Sequence, residues 1–298
     1  MSRSVALAHL VRQSDGLSEG VWAGHTLRSA FQPIYGTQGD RLEVLAYEGL
    51  LRAFRDGEPI PPMAFFVSIP DLDRMHVETL TRTLHLLNAA VCLEESASIF
   101  VNFNPSVFTE TGVADNALRD MRLVLHEAGI DARRVVCEIT EQQSASPETL
   151  DSLIDALRGN GFRIAVDDYG AADSDIARVA ALKPDIVKFD AHWMSRLMDT
   201  ESGFVLLKTM VAAFEDRGIK TVFEGIEEPW QIEMALASGV SMLQGFALAR
   251  PALAQVAGAK ADMSLPRPNG SVAEEPAAET MRPMVRSGRT FGKRTAFQ

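Results

Sequence analysis

Short runs of β-branched and aromatic residues alternate with longer segments of helical periodicity along most of the chain. The short runs predict eight strands, at residues 29–35, 44–52, 99–104, 135–140, 163–168, 185–190, 220–224 and 241–246. The longer segments predict helices between them, including residues 71–91, 115–128, 147–158, 203–217 and 229–237. This alternation predicts a single (β/α)8 barrel. A doubly wound open sheet is the alternative that strand counting leaves open, although no dinucleotide fingerprint favours it.

The two ends of the chain depart from this pattern. Residues 1–25 are predicted to form a short N-terminal arm, with an amphipathic helix over residues 5–13 as one interpretation. Residues 258–298 are rich in Pro, Gly, Ser, Ala and charged residues, and their last part is basic, which predicts a disordered tail. The predicted organisation is therefore an arm at 1–25, one main domain at 26–257 and a basic tail at 258–298.

The composition bears on whether the protein binds nucleic acid or membranes. Of 298 residues, 46% are hydrophobic and 23% are charged, and the net charge is −11. This acidic balance disfavours broad nucleic-acid binding, and no apolar run approaches the roughly 20 residues that span a bilayer. The two cysteines, Cys92 and Cys137, do not predict a disulfide framework. We therefore expect a cytoplasmic protein whose core has no DNA or membrane partner.

Nearly every predicted strand ends in a carboxylate, an amide or a lysine. These residues are Glu48, Asn102, Glu138, Glu141, Asp167, Asp168, Lys188, Asp190, Glu224, Glu227 and Gln244. In a barrel the strand ends converge on one rim, where catalytic groups lie, and unrelated solvated strand ends would not explain such regularity. Buried acids are costly unless they are paired or bind metal. Carboxylate and amide oxygens suit Mg²⁺ or Mn²⁺, and the surplus of carboxylates predicts two ions.

A series of short motifs connects these residues. In chain order they are Phe31-Gln32-Pro33-Ile34, Glu48-Gly49-Leu50-Leu51-Arg52, Asn102, Glu138-Ile139-Thr140-Glu141, Asp167-Asp168-Tyr169-Gly170, Lys188-Phe189-Asp190, Glu224-Gly225-Ile226-Glu227 and Gln244-Gly245-Phe246. Each motif alone is weak, but in their order and spacing the chain resembles EAL-domain cyclic di-GMP phosphodiesterases from about residue 26 to residue 252. The resemblance implies a TIM-like α/β barrel of the EAL type. It also implies hydrolysis of cyclic di-GMP to linear pGpG by metal-activated water.

The resemblance implies roles for individual residues. Metal-binding roles fall to Glu48, Asn102, Glu138, Asp167 and Asp168. Catalytic roles fall to Glu48, Asp167, Lys188 and Glu224, with Lys188 holding or polarising the attacking water. Substrate contacts fall to Gln32, Leu50, Arg52, Asp190, Glu227 and Gln244. Glu141 is expected to anchor the loop after the paired aspartates, and a homodimer is a further implication.

The sequence departs from the family pattern at two places. The signature Glu-Ala-Leu reads Glu48-Gly49-Leu50, and because the alanine is not a ligand, its loss is expected to cost backbone rigidity rather than chemistry. The usual Asp-Asp-Phe-Gly-Thr-Gly-Tyr-Ser loop continues after Asp168 as Tyr169-Gly170-Ala171-Ala172-Asp173-Ser174. If the position of Ala172 needs a positive φ, alanine strains the loop, which would lower turnover more than ligand binding.

Three functional hypotheses follow from the motifs. The first is an active phosphodiesterase, and the second is a cyclic di-GMP receptor that binds without cutting. The third is a protein-interaction module that no longer uses the nucleotide. Retention of the metal-binding residues and Lys188 favours the enzyme over the receptor, and retention of Gln32 and Arg52 argues against the interaction module.

Overall fold

The structure is a computed structural model that describes residues 9–38, 41–107, 113–140, 147–171, 179 and 182–256. These residues all fall within one compact unit, Met1–Met263. The predicted basic tail, Glu141 and residues 172–174 lie outside the described residues. Within the described part of the chain, no helix has the length and apolar character needed to cross a membrane.

Twelve strands form a single sheet among the described residues. They are β1 (His9–Arg12), β2 (Ser18–Trp22), β3 (His25–Gln38), β4 (Arg41–Arg55), β5 (Glu58–Ile60), β6 (Ser98–Asn102), β7 (Val135–Thr140), β8 (Arg163–Tyr169), β9 (Ile186–Phe189), β10 (Lys220–Phe223), β11 (Met242–Leu243) and β12 (Ala252–Leu253). The described α-helices are α1 (Pro62–Ser68), α2 (Asp71–Cys92), α3 (Val113–Ala128), α4 (Pro147–Gly159), α5 (Ala191–Met198), α6 (Glu201–Glu215) and α7 (Pro229–Ser238). The five helices predicted from periodicity are confirmed to within a few residues at their ends.

Eight of the strands close into a barrel. Their order is β3, β11, β10, β9, β8, β7, β6 and β4, and β4 pairs back onto β3. All eight coincide with predicted strands, so the barrel is confirmed and the open-sheet alternative is wrong. The strands from β4 round to β11 pair in parallel, whereas β3 runs antiparallel to both of its neighbours. The sequence pattern gave no information on the direction of β3.

The amino-terminal segment extends the sheet. β1 pairs antiparallel with β2, and β2 pairs antiparallel with the start of β3. The interpretation of residues 5–13 as an amphipathic helix is therefore wrong over its described part. A helix of so few residues is marginal in water, and backbone pairing with β2 provides a better alternative for His9–Arg12.

The barrel interior is built in two layers. The lower layer is a buried apolar ring to which each barrel strand contributes one residue: Ile34, Ala46, Phe100, Val136, Ala165, Ile186, Val222 and Met242. Two positions nearer the rim, each strand either carries a polar residue or is directly followed by one. These residues are Gln32, Glu48, Asn102, Glu138, Asp167, Lys188, Glu224 and Gln244, of which Glu224 and Gln244 directly follow β10 and β11. Because side chains alternate along a strand, residues two apart share a face, and both layers face the interior. We call the second set the polar layer.

Outside the barrel, two larger apolar clusters pack the strands against the helices. One involves α2, α3 and α4, and the other involves α5, α6 and α7. In the second cluster the Tyr169 ring lies 5.3 Å from both the Phe189 and Phe214 rings. These contacts fix the backbone of β8 and β9 immediately beside Asp168 and Lys188.

We expect Phe100→Ala to lower the free energy of unfolding by about 3–5 kcal/mol, because it opens a cavity in the apolar ring beneath the polar layer. Urea unfolding followed by circular dichroism measures the change. Leu123→Ala is the matched control, since Leu123 on α3 is 64% exposed, and its change should stay within about 0.5 kcal/mol. Similar losses in both variants would contradict this packing.

Candidate active site

The ammonium group of Lys188 lies at the centre of the polar layer and is 1% exposed. Four carboxylates surround Nζ, at 2.6 Å (Glu138 Oε1), 3.0 Å (Glu224 Oε2), 3.2 Å (Asp167 Oδ1) and 3.7 Å (Glu48 Oε2). Burial alone would lower the pKa of Lys188, but the surrounding negative charges outweigh it and raise this pKa well above its ordinary value. Lys188 is therefore a permanent cation in this cluster.

One lysine does not neutralise the cluster. Burial, followed by the charge of Glu48, raises the pKa of Glu138 well above its ordinary value. Burial likewise raises the pKa of Glu224 to about 8, although the Lys188 charge opposes this shift. Both carboxylate oxygens of Glu138 and Asp167 Oδ1 are buried and, apart from their ion-pair contacts, have no hydrogen-bond partner among the described residues. The cluster therefore offers surplus electron-rich oxygens that a divalent cation would fit.

The paired aspartates both reach the rim because β8 is irregular there. Adjacent residues of a regular strand point to opposite faces, but the register of β8 against β9 shifts between Val166 and Tyr169. Asp168 also has a positive φ of 57°, a conformation that costs a non-glycine residue of order 1 kcal/mol. As a result, carboxylate oxygens of Asp167, Asp168 and Glu224 lie within 4.8 Å of one another. This spacing fits a shared metal ion.

Gln244, which follows β11, holds the Glu48 carboxylate and is itself linked to Gln32 on β3. Gln244 Nε2 donates to Glu48 Oε2 at 2.7 Å and to Gln32 Oε1 at 3.3 Å. Gln32 Nε2 in turn donates to the carbonyl oxygen of Ala249 at 3.2 Å. Glu48, Gln32 and Gln244 are all buried. The orientation of the Glu48 carboxylate is thus set by β3 and by the residue that follows β11.

A cleft opens beside this group of side chains. It is lined by Gln32, Glu48, Glu224, Gly225, Glu227, Gln244, Gly245 and Phe246. The loops after β10 and β11 form one wall, where Ile226 N donates to Gln244 O at 3.0 Å. A Cβ atom at Gly245 would lie 2.1 Å from the Ile226 carbonyl oxygen, so only glycine permits this close backbone approach. The backbones of the Glu-Gly-Ile-Glu and Gln-Gly-Phe motifs therefore pack directly against each other.

Asn102 and Asp190 take different positions relative to the cluster. Asn102 ends β6 as an exposed residue and lies opposite Glu138 in the strand register, where its side chain can approach the acids. Asp190 caps the amino terminus of α5, and its Oδ1 accepts a hydrogen bond from Trp193 N at 2.8 Å. The structure thus gives Asp190 a structural contact in addition to the predicted substrate contact.

Three other predicted substrate-contact residues lie on β4 and after β10. Leu50 and Arg52 follow Glu48 on the same face of β4, and both are partly buried. The Arg52 guanidinium donates to the Leu51 carbonyl oxygen at 2.9 Å. Glu227 is exposed at the cleft. Each of these side chains therefore stands beside or above the polar layer.

Gln231 supports the site and was not predicted from the sequence. This residue of α7 is buried, and its Oε1 accepts hydrogen bonds from Glu227 N at 2.8 Å and Glu228 N at 3.0 Å. It therefore holds the loop that follows Glu224. The signal in the sequence is Glu228-Pro229-Trp230-Gln231, in which an acidic residue, a proline and a glutamine stand at the first positions of a helix.

We expect Lys188→Met to lower the free energy of unfolding without added metal by about 3 kcal/mol or more, because buried carboxylates lose their cation. Lys220→Met is the matched control. Lys220 is 60% exposed and pairs with Glu215 at 3.1 Å, so the loss should not exceed about 1 kcal/mol. Chemical unfolding of both variants measures the difference, and a Lys188 variant as stable as the control would contradict the proposed charge balance.

Comparison with known proteins places the chain in a family. The EAL domain family model matches residues 16–251. The probable cyclic di-GMP phosphodiesterase PdeA of Escherichia coli is 26% identical over 224 residues, which are 74% of this chain and 30% of that protein. The cyclic di-GMP phosphodiesterase RocR of Pseudomonas aeruginosa is 24% identical over 260 residues, which are 84% of this chain and 63% of that protein. The chain thus spans less than two thirds of either relative.

Solved structures share the fold. The manganese and cyclic di-GMP complex of Klebsiella pneumoniae BlrP1 has a TM-score of 0.69 at 23% identity and covers 85% of this chain and 61% of that one. A standalone EAL protein from Vibrio cholerae, in its cyclic di-GMP-bound form, has a TM-score of 0.65 at 21% identity and covers 76% of this chain and 92% of that one. With a family match over most of its length and the same barrel, this protein belongs to the EAL domain family.

Proposed function

We propose that this protein hydrolyses cyclic di-GMP to linear pGpG in a metal-dependent reaction. The observation that carries the proposal is the polar layer, in which Lys188 and four carboxylates converge beside an open cleft. PdeA and RocR, named as cyclic di-GMP phosphodiesterases, add support from relatives. The two-layer barrel gives the reaction a rigid base, since the apolar ring lies directly beneath the charged groups.

The proposed cofactors are two divalent cations, Mg²⁺ or Mn²⁺. One set of ligands comprises Glu48, Asn102, Glu138 and Asp167, and Asp167 would also contribute to a second set with Asp168 and Glu224. The close carboxylate oxygens of Asp167, Asp168 and Glu224 support this assignment, and so does Glu138 Oε2, which is buried without a hydrogen-bond partner among the described residues. When bound, such ions neutralise charge on phosphoryl oxygens and lower the pKa of water. The manganese in the BlrP1 complex is consistent with this choice.

The protein's own groups would position the reactants. The Lys188 ammonium would hold the attacking water, whose oxygen would form a bond to phosphorus and lose a proton. The bond from phosphorus to the 3′ oxygen would break, and that oxygen would take up a proton. Arg52 has five N–H donors, and its half-buried guanidinium can bind a phosphate oxygen while keeping its bond to Leu51 O. Gln244 would keep the Glu48 carboxylate in place throughout.

A cyclic di-GMP receptor without turnover is the second candidate. The observation that favours it is the sequence after Asp168, where Ala171-Ala172-Asp173 replaces the usual family residues. The retained carboxylates and Lys188 favour the enzyme. A homodimer stays a prediction of the family resemblance.

We expect the purified chain to convert cyclic di-GMP to pGpG with Mg²⁺ or Mn²⁺, as measured by ion-exchange chromatography. Glu48→Ala should slow the reaction by more than about 100-fold, since loss of even an outer partner of a metal ligand costs about 10–100-fold. Glu233→Gln on the exposed side of α7 is the control and should retain full activity. Tight binding without product would support the receptor, and neither binding nor product would support the interaction module.

We expect Mn²⁺ to raise the Tm of the protein, because a ligand at 100 times its Kd stabilises the folded state by about 2.7 kcal/mol. Asp168→Asn should raise the Tm of the metal-free protein, since it removes a charge beside Asp167, yet reduce the increase that Mn²⁺ produces. Differential scanning fluorimetry measures the Tm of the wild-type protein and of Asp168→Asn with and without Mn²⁺, with Glu233→Gln again as control. An undiminished Mn²⁺ effect in Asp168→Asn would exclude Asp168 as a ligand.

A further inference from the structure

The outer side of the strand that carries Glu48 holds an unusual contact. His85 on α2 is 2% exposed, and its ring lies directly over Gly49. A Cβ atom built on Gly49 would lie 2.9 Å from His85 Cγ, closer than real Cβ contacts, and 3.0 Å from Cδ2, so the ring would have to shift. Gly49 is not among the described residues with a positive φ. The glycine is therefore required by space and not by backbone conformation, and the ring occupies the volume that an alanine side chain would need.

Hydrogen bonds fix His85 in this position. Its Nδ1 lies 2.8 Å from Ser29 Oγ, and Ser29 Oγ also accepts from Asn88 Nδ2 at 3.1 Å. Asn88 further donates to the Ser18 carbonyl oxygen at 3.0 Å and accepts from Ser18 N at 2.7 Å. Because His85 and Asn88 are on α2, this buried network ties the helix to β2 and β3. Moving the ring away from Gly49 would strain its bond to Ser29, the one hydrogen bond that joins the ring to this network among the described residues.

The contact lies at the level of the polar layer. In the register of β3 and β4, Gln32 is opposite Glu48 and Phe31 is opposite Gly49. The Phe31 ring also meets the His85 ring edge to face, at 6.2 Å between centroids. His85 therefore supports the outer face of β4 one residue after Glu48, whose Oε2 lies 2.7 Å from Gln244 Nε2 on the inner side. A shift of this backbone by a few tenths of an ångström would change that contact.

The histidine acts here as a neutral ring. Burial, with a smaller contribution from the charge of Arg52, lowers the pKa of His85 to about 3. Near neutral pH its effect on β4 is therefore one of packing and hydrogen bonding.

We propose that His85 and Gly49 form a matched pair, and that His85 is a positioning residue that sets the place of Glu48 in the polar layer. The inference rests on the proposed function in that Glu48 is taken as a metal ligand. It replaces the expectation that glycine at position 49 costs backbone rigidity, because α2 supplies from outside the support that an alanine methyl group would give. Alanine at position 49 and histidine at position 85 are then alternatives that exclude one another.

The test is a double-mutant cycle with Gly49→Ala, His85→Ala and both changes together. The readouts are the Mn²⁺ dissociation constant, from the electron paramagnetic resonance signal of free Mn²⁺, and the Tm. We expect each single change to weaken Mn²⁺ binding by about tenfold, in line with the loss of other supporting contacts at metal sites. In the His85→Ala background, Gly49→Ala should instead strengthen binding, because the methyl group fills the vacated space.

Leu84→Ala is the matched control. Leu84 lies beside His85 on α2 and is fully buried in an apolar cluster with Trp22, Phe65 and Leu51. Because Leu51 is on β4, this control tests packing of α2 against β4 away from Gly49. We expect it to lower the Tm by several degrees and to leave the Mn²⁺ dissociation constant within about twofold of the wild-type value.

The outcomes separate the inference from the proposed function. If His85→Ala lowers the Tm but leaves Mn²⁺ binding unchanged, like the control, His85 is only a packing residue and the inference is overturned. The inference is also overturned if Gly49→Ala weakens Mn²⁺ binding equally in the wild-type protein and in the His85→Ala variant. If Gly49→Ala does not fold, His85→Ala can still be compared with the double variant. That comparison shows whether alanine at position 49 strengthens or weakens Mn²⁺ binding once the histidine ring is gone. A wild-type protein that binds no Mn²⁺ would instead overturn the proposed metal site, and with it the role of His85 in positioning Glu48.

Discussion

The contact of one buried ammonium group with four carboxylates is the constraint on which the rest of the site depends. Lys188 is almost fully buried, and a cation in that position is stable only if negative groups surround it. Four carboxylates surround this one ammonium group, so the cluster holds more acidic groups than Lys188 alone can neutralise. A small cation fits this site, because oxygens of Glu138 and Asp167 are buried and oxygens of Asp167, Asp168 and Glu224 lie close together. The same surplus destabilises the metal-free barrel, which the apolar ring beneath must offset.

Much of this arrangement could be predicted from the sequence. Strand alternation places a polar residue two positions after an apolar one, as in Val136 and Glu138 or Ile186 and Lys188, and parallel strands bring such positions to one rim. The convergence of these side chains at one rim could be predicted because it depends only on local periodicity and on one general rule of barrel geometry. The same rule placed Gln244, which follows the last barrel strand.

Other features depend on contacts between residues far apart in the chain and could not be predicted in this way. The contact between Gly49 and His85 joins a strand to a helix, and neither residue indicates the other in the sequence. The irregularity in β8 that turns Asp168 toward the rim depends on the pairing with β9. The role of Gln231 depends on the position of its helix relative to the loop after Glu224. In each case the deciding interaction is a tertiary contact that no local pattern encodes.

The antiparallel direction of β3 determines where the chain enters the barrel. In an all-parallel barrel the first strand begins at the end opposite the catalytic rim. Here β3 starts at His25 and reaches the polar layer only at Gln32, so roughly 23 Å of strand precedes that layer, at about 3.3 Å per residue. β1 and β2 continue the sheet at that same end. A group fused to the first strands would therefore lie at the end of the barrel where ligand enters, and not beneath its floor.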